Sequence, residues 1–524
     1  MKKFNVTGVC VPSKDYMVDI SGKLKKIMKL IDEGSYFTIN RARQYGKTTT
    51  LSQLQKTLPK KYICARISFQ GVGDKGFESE EAFCKMFIGL VYDSLQFASV
   101  DEEYRENWAD YNVTDFTMLK RHITKMCKGK KVVLMIDEVD KTSHNRVFLH
   151  FIGMLREKFL LYREDMDYTF HSVILAGVYD IKNIKLKMIN EGIYIPAETE
   201  NKIYNSPWNI AVSFNIDMSF SSAETATMLN DYEKDHKTGM NITSISQEIH
   251  KYTSGYPFLV SRICKCIDEE LNKDWTINGV MESVKIILSE KNTLFDDIYK
   301  NLENNKKLYD LIYDVLITGE QRIFTFGNPT IDIGYMYGII ERDKQLNRIT
   351  VSNKIFEIIL ADYFISKDEA SKYKKSANIL PNDIVSGSRF DMELCLRKFA
   401  DHYAEIFNED DIEFLERHGR LIFLSYLRPL LNGQGFYHLE SQFTDLRRMD
   451  IVVDYGSDQF IIELKLWKGE EAERKAYNQL LGYMESKKSE TGYLLIFDFR
   501  KDTNRKRTCE WIKIDGKKIF EVIV

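Results

Sequence analysis

Residues Tyr36-Phe37-Thr38-Ile39-Asn40 read as a strand, and Arg41-Ala42-Arg43-Gln44-Tyr45-Gly46-Lys47-Thr48-Thr49 carries it into a helix that runs through Leu54. Strand, loop, Gly-Lys-Thr and helix is the order that a phosphate cradle needs. Backbone N–H groups of the loop and the helix N-terminus face an anion, a lysine reaches the outer phosphates, and a hydroxyl ligates Mg²⁺. The first glycine of GxxxxGK[ST] would fall at Arg41, so one fixed point of that pattern is absent.

A second segment reinforces the first. Val132-Val133-Leu134-Met135-Ile136-Asp137-Glu138 is an apolar run ending in two carboxylates. A buried strand with Asp-Glu at its carboxyl edge puts one acid near the metal through water and the other where it polarises an attacking water. The spacing suits an ATPase. Lys47 is assigned to the β/γ-phosphates, Thr48 to the metal, Asp137 to the metal's outer shell and Glu138 to the hydrolytic base. The loop residues Arg43, Gln44, Tyr45, Gly46 and Thr49 complete the nucleotide-binding set.

Around these motifs, apolar runs alternate with helical patterns over the first 215 or so residues, the signature of a parallel sheet wrapped by helices. Strands are expected at Tyr36–Asn40, Ile63–Phe69, Val132–Ile136 and Ser172–Gly177, with helices starting near Lys47, Glu78, Asp115 and Arg146. The expected division is an ATPase core over 1–216, a helical lid over 217–302, a winged-helix-like module over 303–366, a polar linker over 367–388 and a separate α/β domain over 389–524. In the last, helices are expected at Phe390–Phe407, Asp410–Leu431 and Glu470–Ser486. Its strands are expected at Phe436–Phe443, Met449–Asp454, Gln459–Leu466, Tyr493–Phe499 and Lys518–Val524. A net charge of -3 excludes a globally basic, histone-like protein. The eight cysteines form no CxxC pair or Cys/His cluster at zinc spacing, and no run of about 18 apolar residues occurs. The expectation is a cytoplasmic chain with reduced thiols and no membrane span.

The C-terminal domain carries its own constellation. Two apolar strands flank a turn centred on Gly456-Ser457, and a hairpin symmetric about that turn sets Asp450 opposite Glu463. Lys465 shares their face by strand alternation. Two adjacent carboxylates repel each other unless a cation sits between them. Mg²⁺ favours such oxygen ligands, and a bound ion beside a water-orienting lysine is suited to phosphodiester hydrolysis. Asp450 and Glu463 are therefore candidate metal ligands, and Asp450, Glu463 and Lys465 candidate catalytic groups.

On the Gly-Lys-Thr loop and the Asp-Glu strand, the first 300 or so residues resemble the AAA-like ATPases of the archaeal-ATPase and STAND group of P-loop NTPases. In that group a non-glycine at Arg41 is familiar. Ile174-Leu175-Ala176-Gly177-Val178 matches the fourth core strand but lacks the polar sensor residue of AAA+ enzymes. Gly255-Tyr256-Pro257 resembles the group's GxP motif, which implies that Pro257 lies against the nucleotide. The segment from Asp450 to Glu463-Leu464-Lys465 resembles the PD-(D/E)XK nuclease superfamily, with Met449 in place of the usual proline. Gln479 and Tyr483 match its Q-xxx-Y helix, which implies a supporting or DNA-contacting role for Gln479. A further acid is implied, with Glu416 and Glu440 both candidates. Arg500, Lys501, Arg505, Lys506 and Arg507 form a basic run that could hold phosphates, or simply a solvated loop.

The combined expectation is an ATP- and Mg²⁺-dependent ATPase regulating a metal-dependent endonuclease on DNA, with Mn²⁺ as an alternative nuclease metal. A homo-oligomer through the ATPase domain is compatible with it. The alternative is a nucleotide-switched scaffold whose nuclease fold binds nucleic acid or protein without cutting. DNA against RNA, sequence preference, hydrolysis against binding alone, and pathway are not encoded in these motifs.

Overall fold

The computed structural model describes residues 2–98, 100–139, 146–178, 208–371, 384–386, 389–406, 412–431, 434–440, 450–456, 458–467, 469–498 and 508–524, with Glu416, Glu440 and Asp450 described by backbone alone. The chain divides into two compact units. One comprises Met1–His250, Ser254–Val280 and Met336–Gly338, and the other Lys251–Thr253, Met281–Tyr335 and Ile339–Val524.

In the first unit, α1 (Ser21–Asp32) precedes β1 (Tyr36–Asn40) and α2 (Lys47–Thr57). Then come β2 (Tyr62–Ser68), α3 (Glu80–Leu95), the short α4 (Glu102–Glu106), α5 (Phe116–Cys127), β3 (Lys131–Asp137), α6 (Arg146–Arg163) and β4 (Ser172–Gly177). The four strands form a parallel sheet in the order β1-β4-β3-β2. Val132 to Ile136 have no exposure. Burial of that kind stabilises by roughly 1.5–3 kcal/mol per large apolar side chain, which is why the run reads as continuously apolar. Val132, Leu134 and Ile136 share a cluster with Phe83 and Phe87 of α3, Ile123 of α5 and Phe151 of α6. The helix expected near Glu78 starts two residues later. Asp74–Phe77 closes as a 3₁₀ turn, and the Ser79 hydroxyl caps α3 by accepting from the Ala82 N–H.

The lid helices are α7 (Ser222–His236), opened by a Ser221/Glu224 capping box, α8 (Ile242–Thr253) and α9 (Pro257–Glu269). Gly255 joins the last two at φ 74°, and a Cβ there would meet the Phe220 carbonyl oxygen at 1.9 Å, so only glycine fits. Helix α10 (Ile277–Ser289) follows.

In the second unit, α11 (Thr293–Glu303) leads to α12 (Lys306–Tyr313), which continues as a π turn over Asp314–Thr318. After α13 (Pro329–Met336), β5 (Ile340–Asp343) and β6 (Arg348–Val351) form an antiparallel hairpin, and Ile323 bridges to Arg348. Helix α14 (Lys354–Ser371) comes next. The buried Arg420 donates to the Leu316 carbonyl, and the Tyr437 hydroxyl donates to Asp362 at 2.8 Å. The hairpin module and the C-terminal sheet therefore share one packed body. Of the expected linker, 372–383 and 387–388 lie outside the described residues.

After a two-residue pair, β7 (Val385–Ser386) and β8 (Arg389–Phe390), come α15 (Met392–Ile406) and α16 (Ile412–Leu431). The C-terminal sheet has six strands: β9 (Gly435–Glu440), β10 (Asp450–Tyr455), β11 (Asp458–Leu466), β12 (Thr491–Phe497), β13 (Thr508–Ile514) and β14 (Lys517–Ile523), in the order β13-β14-β12-β11-β10-β9. Helix α17 (Glu470–Ser486) crosses from β11 to β12, which are parallel, and packs Ala476, Leu480 and Met484 on Val452, Ile461, Leu494 and Ile519. Phe399 and Tyr403 of α15 pack against Phe497. Two strands were expected after α17; among the described residues there are three. The additional β13 is an edge strand whose residues are only partly buried or exposed, so no apolar run marks it. All eight cysteines are free. Among the described residues no helix is long and apolar enough to cross a membrane.

Candidate active sites

Gly46, at φ 74°, turns the loop after β1 into α2, and Gln44 also takes a left-handed conformation at φ 57°. The turn buries Lys47 to 7% exposure, and its Nζ donates to the carbonyls of Arg41 and Ala42, each at 2.8 Å. The ammonium is thus held inside the curl of the loop. Arg41, standing where the pattern has glycine, points its side chain elsewhere. Its guanidinium donates to the Asn40 and Ile216 carbonyls, both at 2.8 Å, and lies over the Phe214 ring at 5.8 Å. The departure from the glycine pattern ties the loop to the segment before the lid.

A cavity of about 640 Å³ opens above this loop, a size suited to a bound small molecule. Arg43, Gln44, Tyr45, Gly46, Lys47, Thr48 and Thr49 all line it, as do Glu138 and Pro257. Asp137 does not. It is 4% exposed at the end of β3, and its Oδ1 accepts from the Glu138 N–H at 3.0 Å. Glu138 has φ 56°, an uncommon conformation for a side-chain-bearing residue, and it is this turn out of β3 that brings it to the cavity. Pro257 opens α9, and the neighbouring Tyr256 hydroxyl donates to the Arg43 carbonyl at 2.6 Å while its ring meets Tyr45 edge-on at 4.8 Å.

Sequence reasoning missed one wall of the cavity. Val6, Gly8, Val9, Cys10, Tyr16 and Met17 belong to an N-terminal strap without regular secondary structure. The strap is tied to one face of α7. Lys2 pairs with Asp231 at 2.6 Å and Tyr16 donates to Asp235 at 2.9 Å, and just beyond the strap Lys23 of α1 pairs with Glu224 on the same face at 2.6 Å. Positions 224, 231 and 235 recur at helical spacing, and that was the available signal. Burial and the hydrogen bond to Asp235 push the Tyr16 hydroxyl well above its ordinary value, which keeps it neutral. Burial also raises the Cys10 thiol.

In the second unit the hairpin register is Asp450 opposite Glu463, as the turn arithmetic requires. Asp450 is also opposite Glu440 across β9 and β10, so Glu440, Asp450 and Glu463 occupy one row on three adjacent strands. Of the two candidates for a further acid, Glu440 is in the row, whereas Glu416 is on α16. Glu463 is 2% exposed, and its Oε1 faces Lys465 Nζ at 2.8 Å. The Oε1 of Gln479 and the hydroxyl of Tyr483 on α17 are buried without a hydrogen-bond partner. Orphaned buried oxygens are costly unless a ligand satisfies them. A row of carboxylates with no sulfur or nitrogen donor suits a hard cation such as Mg²⁺. Among the described side chains no group of three His, Cys, Asp or Glu is gathered as a metal cluster; those of Glu440 and Asp450 fall outside that description. Arg500, Lys501, Arg505, Lys506 and Arg507 lie outside the described residues.

A parallel sheet with Gly-Lys-Thr after its first strand and Asp-Glu closing a buried neighbour defines a P-loop NTPase fold. The mixed sheet with the Asp450 and Glu463-Leu464-Lys465 register defines a nuclease-type fold. The chain belongs to the family of the AAA-like domain, whose model matches residues 8–324. The model of the PD-(D/E)XK nuclease superfamily matches residues 436–508. The protein is thus an AAA-like ATPase domain fused to a PD-(D/E)XK family domain, and the resemblance noted on both halves is borne out. Over 148 residues the chain is 26% identical to an uncharacterised protein of Methanocaldococcus jannaschii, a match covering 26% of this chain and 32% of that relative. The chain therefore spans about a third of that relative's length. Among solved structures it is similar to a Walker-type ATPase of Pyrococcus abyssi (TM-score 0.46, 12% identity, 68% of this chain and 99% of that one). It is also similar to the ORC2 protein of Aeropyrum pernix in its ADPNP–ADP complexes (TM-score 0.33, 11% identity, 68% and 97%). Both scores lie below 0.5, so the fold assignment rests on the strand order and the family models.

Proposed function

We propose that the chain binds and hydrolyses ATP with Mg²⁺ in the cavity above the Gly46-Lys47-Thr48 turn, and that its nucleotide state governs a metal-dependent endonuclease acting on DNA. Lys47 exchanges the Arg41 and Ala42 carbonyls for the outer phosphates, Thr48 holds the metal with Asp137 behind it, and Glu138 takes the proton of the attacking water. The loop N–H groups from Arg43 to Thr49 cradle the phosphates, and Pro257 closes over the nucleotide.

The observation that carries the nuclease half is the register row of Glu440, Asp450 and Glu463 with Lys465 paired to the last. In this reading Glu440 is the further acid, in preference to Glu416. A divalent ion, Mg²⁺ or Mn²⁺, would supply a water of lowered pKa and charge neutralisation at the phosphate. The residues' own part is to hold that ion with oxygens, to aim the Lys465 ammonium at the attacking water, and to steady the site through Gln479.

The test is cleavage of supercoiled plasmid and of a single-stranded oligonucleotide with Mg²⁺ or Mn²⁺, with and without ATP, comparing wild type with Lys465→Ala. Metal-dependent cutting lost in the variant and altered by ATP is the expected result. No cutting in any nucleotide state overturns the nuclease reading in favour of a nucleotide-switched binding protein.

A further inference from the structure

Glu521 of β14 is 5% exposed and takes no part in the machinery described above. It belongs to the same row of the sheet as the candidate metal ligands. Glu463 is opposite Leu494, and Leu494 is opposite Glu521. The Tyr477 hydroxyl of α17 donates a hydrogen bond to Glu521 Oε2. This bond crosses an interface otherwise built from Ala476, Leu480, Met484 and the apolar strand residues beneath them.

Helical geometry gives that bond a consequence. At 3.6 residues per turn, successive residues are separated by about 100° around the axis, so Tyr477 and Gln479 lie about 200° apart. They flank the buried stripe of Ala476 and Leu480 from opposite sides. Apolar packing alone tolerates small rotations of a helix on a sheet, whereas a hydrogen bond to a buried carboxylate is directional. A rotation of about 20° would carry a side-chain tip at a radius of ~5–6 Å by about 2 Å.

We infer that Tyr477 and Glu521 are a positioning pair that sets the rotation of α17, and through it holds Gln479 over the row of Glu440, Asp450 and Glu463. The inference rests on the nuclease reading above. Gln479 Oε1, buried without a hydrogen-bond partner, is the group so delivered, as an acceptor for the water shell of the cation.

The experiment uses the full chain and reads Mn²⁺ binding by calorimetry beside plasmid cleavage. Tyr477→Phe weakens Mn²⁺ binding and slows cleavage by about tenfold, the scale of a lost outer-shell contact. Tyr477→Phe/Gln479→Ala is no worse than Gln479→Ala, because the pair acts through Gln479. Glu521→Gln keeps an acceptor for the phenol and stays close to wild type. Tyr477→Phe/Glu521→Leu leaves no buried polar group of the pair unsatisfied, serves as the well-folded form of the defect, and is as impaired as Tyr477→Phe. Losses that add in the Gln479 double variant, or an unimpaired Tyr477→Phe, overturn the inference while leaving the nuclease intact. A wild type that neither binds Mn²⁺ nor cuts DNA overturns the nuclease reading itself.

Discussion

Lys47 donates to the backbone carbonyl of Arg41, six residues before it, so the residue that takes the place of the pattern's first glycine supplies one of the acceptors that hold the lysine within the loop. The ammonium is buried, and the Arg41 and Ala42 carbonyls hold it in place before any ligand arrives. Lys47→Ala is expected to weaken ATP binding by at least about a hundredfold, roughly 2.7 kcal/mol. Titration with a fluorescent ATP analogue measures this, and unchanged affinity would remove Lys47 from the site.

Glu138 reaches the cavity from a left-handed backbone conformation, a strain expected to persist where chemistry needs it. Glu138→Gln should retain ATP binding and slow hydrolysis by about 10²–10⁴-fold. Phosphate release under single-turnover conditions separates the two effects. Equal turnover in the variant would mean that the carboxylate is not the base.

Removing charge from Glu463 tests the carboxylate row directly. Glu463→Gln loses its ion pair with Lys465 and a hard oxygen donor while keeping shape, so metal-dependent nicking should disappear with melting temperature little changed. Persistent nicking of supercoiled plasmid by this variant would rule out a ligand role.

Gly255 is a stability position, not a chemical one. Gly255→Ala forces a Cβ against the Phe220 carbonyl at a positive φ, and is expected to cost about 2–4 kcal/mol. Chemical denaturation of the first unit's transition reads that loss. Nearby Gly239 also has positive φ but open space around it, so Gly239→Ala should cost much less.

His122 and His171 are both held below the ordinary imidazole range, chiefly by burial. The folded chain therefore binds fewer protons than the unfolded chain as pH falls through about 6.5, and stability declines with it. Melting temperature should fall between pH 7 and 5, and His122→Asn should flatten that slope. A slope unchanged by the substitution would assign the acid sensitivity elsewhere.

What could be read in the chain without its fold depended on short-range pattern. The strands at Tyr36–Asn40 and Ser172–Gly177 have the expected bounds, because a buried parallel strand is a continuous apolar run that helices cover on both faces. The pairing of Asp450 with Glu463 followed from counting outward from one turn, since a tight hairpin leaves the chain a single register. The helix start at Lys47 was legible because a glycine able to take a positive φ stands between the strand and the Lys-Thr-Thr run.

Relationships that span the chain were decided by tertiary structure. Local spacing says nothing of β4 lying between β1 and β3, of the strap from Val6 to Met17 forming a wall of the cavity, or of Glu440 entering the row through its pairing with β10. The bond from Tyr477 to Glu521 joins residues 44 apart across a helix and two strands. Periodicity reports which face of an element is buried, but not what buries it. That choice belongs to packing among distant segments, where many partners satisfy the same pattern and only the assembled core selects one.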